Sequence, residues 1–258
     1  GHVQTTLPAS SSGANGDYRE RTPKPQIAQL LTMPSTPSSG VALFFASGCF
    51  WGRQHDFVTR IEQQVLTRGD LNISAISGYA GGLQTGTAGR VCHYNSASAD
   101  VYATLGHAEA VQLLLPEEFV QAASAVFFDS FVELGPGTYG REDIYDRGPG
   151  YRAVIGLPGG MKSSLLEVVR LANVHNLTLR AGNGSDPDTF LQSMVWVLDS
   201  NEFAFHQAEV CMQFRNNQTG HYSDQYHALR QTLLQTGRLV PTTCPLPYDC
   251  EEKAAFQS

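Results

Sequence analysis

From position 41 onward, the apolar residues recur with two different periods. Residues 41–47 (Val-Ala-Leu-Phe-Phe-Ala-Ser) form a short apolar run after Gly40, the pattern of a buried strand. Past Gly48 and Cys49 the period lengthens: Val58, Ile61 and Val65 share a helical face, with Arg53, Gln54, Arg60 and Glu62 elsewhere. Residues 72–79 read as a second strand, closed by the turn-forming pair Gly81-Gly82, and residues 108–115 as a third. Residues 117–134 read as one amphipathic helix, with Phe119, Ala122, Val126 and Phe127 on one side. A strand over 151–157, a helix over 163–175 and a strand over 190–198 follow. The last helix, 223–235, is opened by Ser223-Asp224 and stopped by Gly237. Strands and helices alternate without a strict βαβ rhythm. That predicts an α/β chain of the α+β kind, a two-layer sandwich of a mixed β-sheet and flanking helices.

Residues 1–40 are rich in Ser, Thr, Pro and Gly and read as a flexible N-terminal arm. The catalytic-type domain is expected over 41–240, with a cysteine-bearing extended tail over 241–258. At 41% hydrophobic and 16% charged, the chain has enough apolar matter for a sizeable core. Its net charge of −7, with three lysines (Lys24, Lys162 and Lys253) and no basic run, gives no footing for a nucleic-acid partner. No stretch approaches 18 apolar residues, so no membrane span is expected, and the chain is read as a monomer. Sequons begin at Asn72, Asn176, Asn183 and Asn217, which leaves cytoplasm, an organelle and a secretory route all open.

Five cysteines read as too few and too irregular for a disulfide scaffold, and Cys92-His93 has no second half for a zinc site. No metal and no bound cofactor are expected. Cys49 is the sharpest feature, because it falls between a strand and a helix, beside the helix's unpaired N–H groups. Such a position can lower a thiol's pKa from roughly 8.5 and make it a nucleophile. Phe50 and Trp51 follow it and offer apolar surface. The plainer reading is a buried structural Cys beside core aromatics, the commonest fate of an unpaired cysteine.

Gly48-Cys49-Phe50-Trp51-Gly52 resembles the signature of the A-type peptide methionine sulfoxide reductases. Gly78-Tyr79-Ala80-Gly81-Gly82 and Gly106-His107-Ala108-Glu109-Ala110-Val111 match further family segments in order. Asp146 and Tyr151-Arg152-Ala153 follow at the family spacing, and Phe205-His206-Gln207-Ala208-Glu209 is a weaker match. The resemblance covers about residues 41–215. It implies an enzyme of oxidative protein repair that reduces methionine-S-sulfoxide, free or in proteins, and draws electrons from thioredoxin or a small thiol. Cys49 would attack the sulfoxide sulfur, Glu109 would protonate its oxygen, Tyr151 would hold that oxygen, and Asp146 would support the site. Phe50 and Trp51 would wall the methyl pocket. A sulfoxide oxygen leaves only once protonated, and a carboxyl kept protonated near neutral pH needs an apolar pocket. A sulfenic acid on Cys49 must then be resolved by a thiol. Cys244 and Cys250 stand where the family keeps recycling cysteines, which implies a mobile tail passing a disulfide to thioredoxin. A static Cys244–Cys250 bridge or two idle thiols are the alternatives.

The chain departs from the family at several points. Gln54 stands where the family usually has Glu, and Val210-Cys211-Met212 replaces polar residues. Residues 173–188 look like an insertion. The family's second oxygen-holding tyrosine has no clean counterpart: strict spacing falls on Ala97, and Tyr94 is the substrate-binding candidate ahead of Tyr102. Gly135-Pro136-Gly137 is read as a turn and Asp186-Pro187-Asp188 as a solvated loop without calcium. Two other functions stay open on the same scaffold. One is a reductase of another small sulfoxide or oxidised thiol, the other a binding module that kept the fold without turnover.

Overall fold

A computed structural model describes residues 40–93, 100–245 and 250. The N-terminal arm, most of the C-terminal tail and Tyr94 lie outside them.

The chain is an α+β sandwich: a seven-stranded mixed sheet, a two-stranded sheet and four α-helices, not closed into a barrel. The central strand β1 (Val41–Ala46) alternates its side chains, with Leu43 and Phe45 toward the helices and Phe44 and Ala46 in a smaller cluster. It pairs antiparallel with β3 (Ala108–Leu115) and with β6 (Val154–Leu157). Beyond β3 lie β2 (Ile76–Ala80) and the short β9 (His206–Gln207), both antiparallel. Beyond β6 lie β8 (Met194–Asp199) and, at the edge, β7 (Thr178–Ala181), both parallel. The helices are α1 (Phe50–Asp56), α2 (Val120–Phe128), α3 (Leu166–Ala172) and α4 (Asp224–Gln235). Ser223 caps α4 as expected, its hydroxyl accepting from the Tyr226 N–H.

Three sequence expectations are corrected. The 117–134 helix stops at Phe128, and Phe131–Gly135 is strand β4, paired with β5 (Thr138–Arg141) across the Gly135-Pro136-Gly137 turn. An apolar run with Phe131 buried and Val132 and Leu134 exposed serves a hairpin as well as a helix. Second, α1 continues as a π-helix over Phe57–Gln63, with Leu66 N–H reaching back five residues to Ile61 O. The wider turn shifts the phase, so Val58 and Ile61 are buried while Val65 is 43% exposed. Third, the 173–188 segment supplies edge strand β7, and Asp186 and Asp188 are structural anchors. Asp186 is buried and accepts the amides of Asn183 and Gly184, and Asp188 binds Arg141 at 2.7 Å and the Gly148 amide at 2.6 Å. Arg141 in turn donates to the Asp146 carbonyl at 2.6 Å, so Asp188 and Arg141 together fix the loop that carries Asp146 and Tyr151.

Candidate active site

Cys49 occupies the N-cap of α1, at the end of β1, as its place in the sequence predicts. Gly48 makes the turn with φ +68°, and a Cβ there would meet the Asp143 Cβ at 2.6 Å. Two successive amides at the helix mouth bind two carboxylates: Cys49 N–H donates to Asp143 Oδ2 at 2.8 Å, and Phe50 N–H to Glu109 Oε2 at 3.0 Å. These bonds satisfy N–H groups the helix cannot pair itself, and they bring acidic groups against the thiol.

The electrostatic outcome for Cys49 reverses the sequence expectation. Burial pushes its pKa well above the ordinary thiol value, and the Glu109 charge pushes the same way. The Trp51 N–H pulls it down, as a helix N-terminus should, but does not win. Asp146 and Asp143 add to the upward side.

Glu109 sits on β3, paired across to Tyr79 of β2, and is buried. Burial raises its pKa to about 8, against the lowering effect of the Phe50 amide; Asp146 raises it further. Its Oε1 faces the Tyr102 hydroxyl at 3.3 Å and His93 Nδ1 at 3.7 Å. Tyr102 is therefore the tyrosine the structure brings to the acid, and Tyr94 lies outside the described residues. Tyr151 lies near Tyr102, and its pKa is raised by burial first and by Glu109 second. Burial and then Asp143 hold the Asp146 pKa up at about 6, with the neighbouring Cys49 thiol pulling it down. Cys49, Glu109, Asp146 and Tyr151 thus lie together.

Phe50 is buried and Trp51 partly so; the Trp51 indole donates to the Met212 carbonyl at 3.0 Å under the Arg215 guanidinium. His93, Tyr102 and Tyr79 continue this aromatic wall, with Tyr79 and Tyr102 stacked at 4.7 Å. Tyr79 donates to Glu209 Oε2 at 2.7 Å, and the His93 amide to Glu209 Oε1 at 2.9 Å. Gln54, the departure in α1, is buried and ties the helix to Ala75, Gln213 and Phe214 by three hydrogen bonds. A cavity of about 380 Å³ opens on Cys49 and Asp146 between loops 142–146 and 217–219, with Arg53 and Glu142 at its wall. Glu109 does not line it.

Asp143, Tyr79, His93 and Glu209 were not named from the sequence as site residues. The Asp143-x-x-Asp146 spacing was the available signal for the first, since Asp143 Oδ1 accepts the amides of Tyr145 and Asp146 and so shapes the loop. Tyr79 lay inside a matched motif.

The cysteines also overturn an expectation. Cys92 is bonded to Cys244 and Cys211 to Cys250, with Cα separations of 5.7 and 5.5 Å, leaving Cys49 as the free thiol. The tail cysteines pair with the body of the domain and not with each other or with Cys49. The partners are 152 and 39 residues apart in sequence, which is why spacing did not reveal them. Among the described residues, Cys92, Glu209 and Cys244 form a group of metal-ligand types, but its two sulfurs are bonded to each other. No family model matches the chain, and no curated protein matches it significantly. Among the described residues, no helix is long and apolar enough to cross a membrane.

Proposed function

We propose that the protein reduces methionine-S-sulfoxide, free or in a polypeptide, with Cys49 as nucleophile and Glu109 as acid. The observation that carries this reading is one thiol flanked by two carboxyl groups, Glu109 held on the Phe50 amide and Asp146 in the cavity that Cys49 also lines. Asp146, at about 6, is charged at neutral pH, while Glu109, at about 8, is mostly protonated. A raised thiol pKa is no obstacle to such a site, because the thiol proton has an acceptor in Asp146, which lines the same cavity.

The reaction then balances in two steps. Cys49 gives its proton to Asp146 and attacks the sulfoxide sulfur. Glu109 protonates the oxygen, held by Tyr102 and Tyr151. The sulfur–sulfur bond so formed then breaks as the hydroxyl is transferred from the methionine sulfur to the Cys49 sulfur, leaving methionine and a sulfenic acid. The cysteine sulfur thereby loses two electrons and the methionine sulfur gains them. The resemblance of the segments around Cys49, Tyr79, Glu109 and Tyr151 to the A-type reductases supports the same assignment. Trp51 and Phe50 supply apolar surface for the S-methyl group. Thioredoxin or a small thiol returns the electrons, and Cys244 and Cys250 join that relay only after their bonds to Cys92 and Cys211 are opened. Two disulfides suit an oxidising compartment, which favours the secretory route among the locations left open. The test is reduction of each methionine sulfoxide epimer with dithiothreitol, repeated with Cys49→Ser. Activity on the S epimer that disappears in the variant supports the reading, and equal activity on both epimers or in the variant overturns it.

A further inference from the structure

Glu109 gives up a proton in each turnover and has to recover it, yet its side chain is only 3% exposed. Of the groups at its two oxygens, the Phe50 amide cannot supply a proton. Tyr102 is buried, and burial raises its pKa well above the phenol range, which makes it a hydrogen-bond partner and not a carrier. His93 is different. Its Nδ1 stands 3.7 Å from Glu109 Oε1, and its side chain is 22% exposed. The ring is held in register from two sides, stacked on Phe50 at 6.1 Å and Tyr102 at 5.9 Å, while its backbone amide is fixed by Glu209 Oε1. The neighbouring Cys92–Cys244 bridge anchors the same stretch of chain.

We propose that His93 carries protons from solvent to Glu109, resetting the acid between turnovers. The inference rests on the assignment of Glu109 as the acid. Because Oε2 is occupied by the Phe50 amide, the returning proton goes to Oε1, the oxygen that faces the imidazole. A ring protonated on Nδ1 gives that proton to the carboxylate as its bare Nε2 takes one from water, and proton exchange with solvent then restores the starting tautomer. The thiol proton leaves by the other side, through Asp146 into the cavity that Asp146 lines, so one proton is released and one taken up per sulfoxide. Glu109 is also faced by Asp143, Asp146 and Tyr151, and His93 by Tyr79, Trp51 and, through its backbone, Glu209. His93 acts through Glu109 and not on the substrate.

His93→Phe keeps the stacked ring and removes the proton carrier. With dithiothreitol in excess at pH 7, the variant should keep the parent's first, single-turnover reduction within about twofold, because Glu109 starts protonated. Its multiple-turnover rate should fall by about 10²-fold, the lower end for acid–base groups. Added imidazole should restore the rate, and sodium chloride at matched ionic strength should not. Equal loss in single and multiple turnover, or no rescue by imidazole, would overturn the proposal. A second measurement separates its failure from that of the catalytic reading: the carboxyl infrared band of Glu109, assigned by its loss in Glu109→Gln, followed after a downward pH jump. Proton return to Glu109 should be slower in His93→Phe than in the parent whether or not the parent reduces sulfoxides. Equal rates would overturn the carrier role.

Discussion

The amide of Phe50 donates to Glu109 Oε2 at 3.0 Å, so the helix that presents the Cys49 thiol at its mouth also holds the Glu109 carboxyl. Strand β3 and helix α1 are thereby tied at one peptide, and a change in either bears on both the thiol and the carboxyl. Removing the carboxylate charge while keeping its shape is the most direct probe of that arrangement.

Glu109→Gln should lower the single-turnover rate by about 10²–10⁴-fold, the usual worth of a general acid. In the parent the rate should be highest between about pH 6, below which Asp146 is protonated, and about pH 8, above which Glu109 ionises. Stability should follow the same group. Its folded-state pKa lies above the ordinary carboxylate value, so its stabilisation is fully present at acid pH and is lost as pH rises to about 8. The glutamine variant should therefore lose less stability than the parent between pH 5 and 9. Thermal melts across that range check it, and parallel curves would contradict the assignment.

Tyr102→Phe removes a hydroxyl that steadies the ionised form of Glu109. The Glu109 pKa should rise further, moving the alkaline limb of the single-turnover profile upward. The maximal rate should fall about fivefold to tenfold, the equivalent of a hydrogen bond worth roughly 1 kcal/mol. A limb that stays in place, or moves to lower pH, would disconnect Tyr102 from the acid.

Cys49 should be the one thiol that labels in the unreduced, denatured chain, since the other four cysteines are paired. In the folded protein at pH 7, iodoacetamide should modify it more slowly than a small model thiol, because burial and Glu109 raise its pKa. Asp146→Asn should lower that pKa by removing a nearby negative charge, and peptide mapping with a pH series reads both effects. Fast labelling at neutral pH would show that the helix N-terminus prevails after all.

Gly48→Ala places a methyl group against Asp143 at a backbone angle that L residues rarely adopt. The cost should be about 1–3 kcal/mol of stability, read from urea unfolding. Displacing Asp143 also releases the Cys49 amide, so activity should fall by more than the small unfolded fraction accounts for.

Much of the fold was legible in the amino-acid sequence. Strand β3 runs over the expected residues, β1 within one residue of its expected end, and α4 begins beside its Ser223 cap. Cys49, Glu109, Asp146 and Tyr151 gather as their motifs imply. What stayed hidden depended on geometry across long sequence distances. Asp143 works by receiving an amide 94 residues away, and His93 and Tyr102 flank a segment whose length leaves spacing without meaning. The direction of the Cys49 pKa shift was hidden for a similar reason: a helix terminus is visible in sequence, but three carboxyl groups converging on it are not. The π-turn that exposes Val65 has no sequence signature in a run of apolar residues at ordinary helical spacing.

The two closed disulfides also define an electron inventory. With both closed, the chain has a single reducing sulfur, Cys49, and without an external thiol it should consume one sulfoxide per chain and stop. Opening both pairs stores two further two-electron equivalents. If Cys244 and Cys250 serve Cys49, the fully reduced chain, freed of excess reductant, should consume three sulfoxides before it stalls. Serine at Cys244 and Cys250 should cut that to one while leaving the first turnover at its parental rate. A reduced parent that also stops at one would make the bridges purely structural. Counted this way, the oxidised fold is a discharged cell whose capacity can be measured by stoichiometry alone.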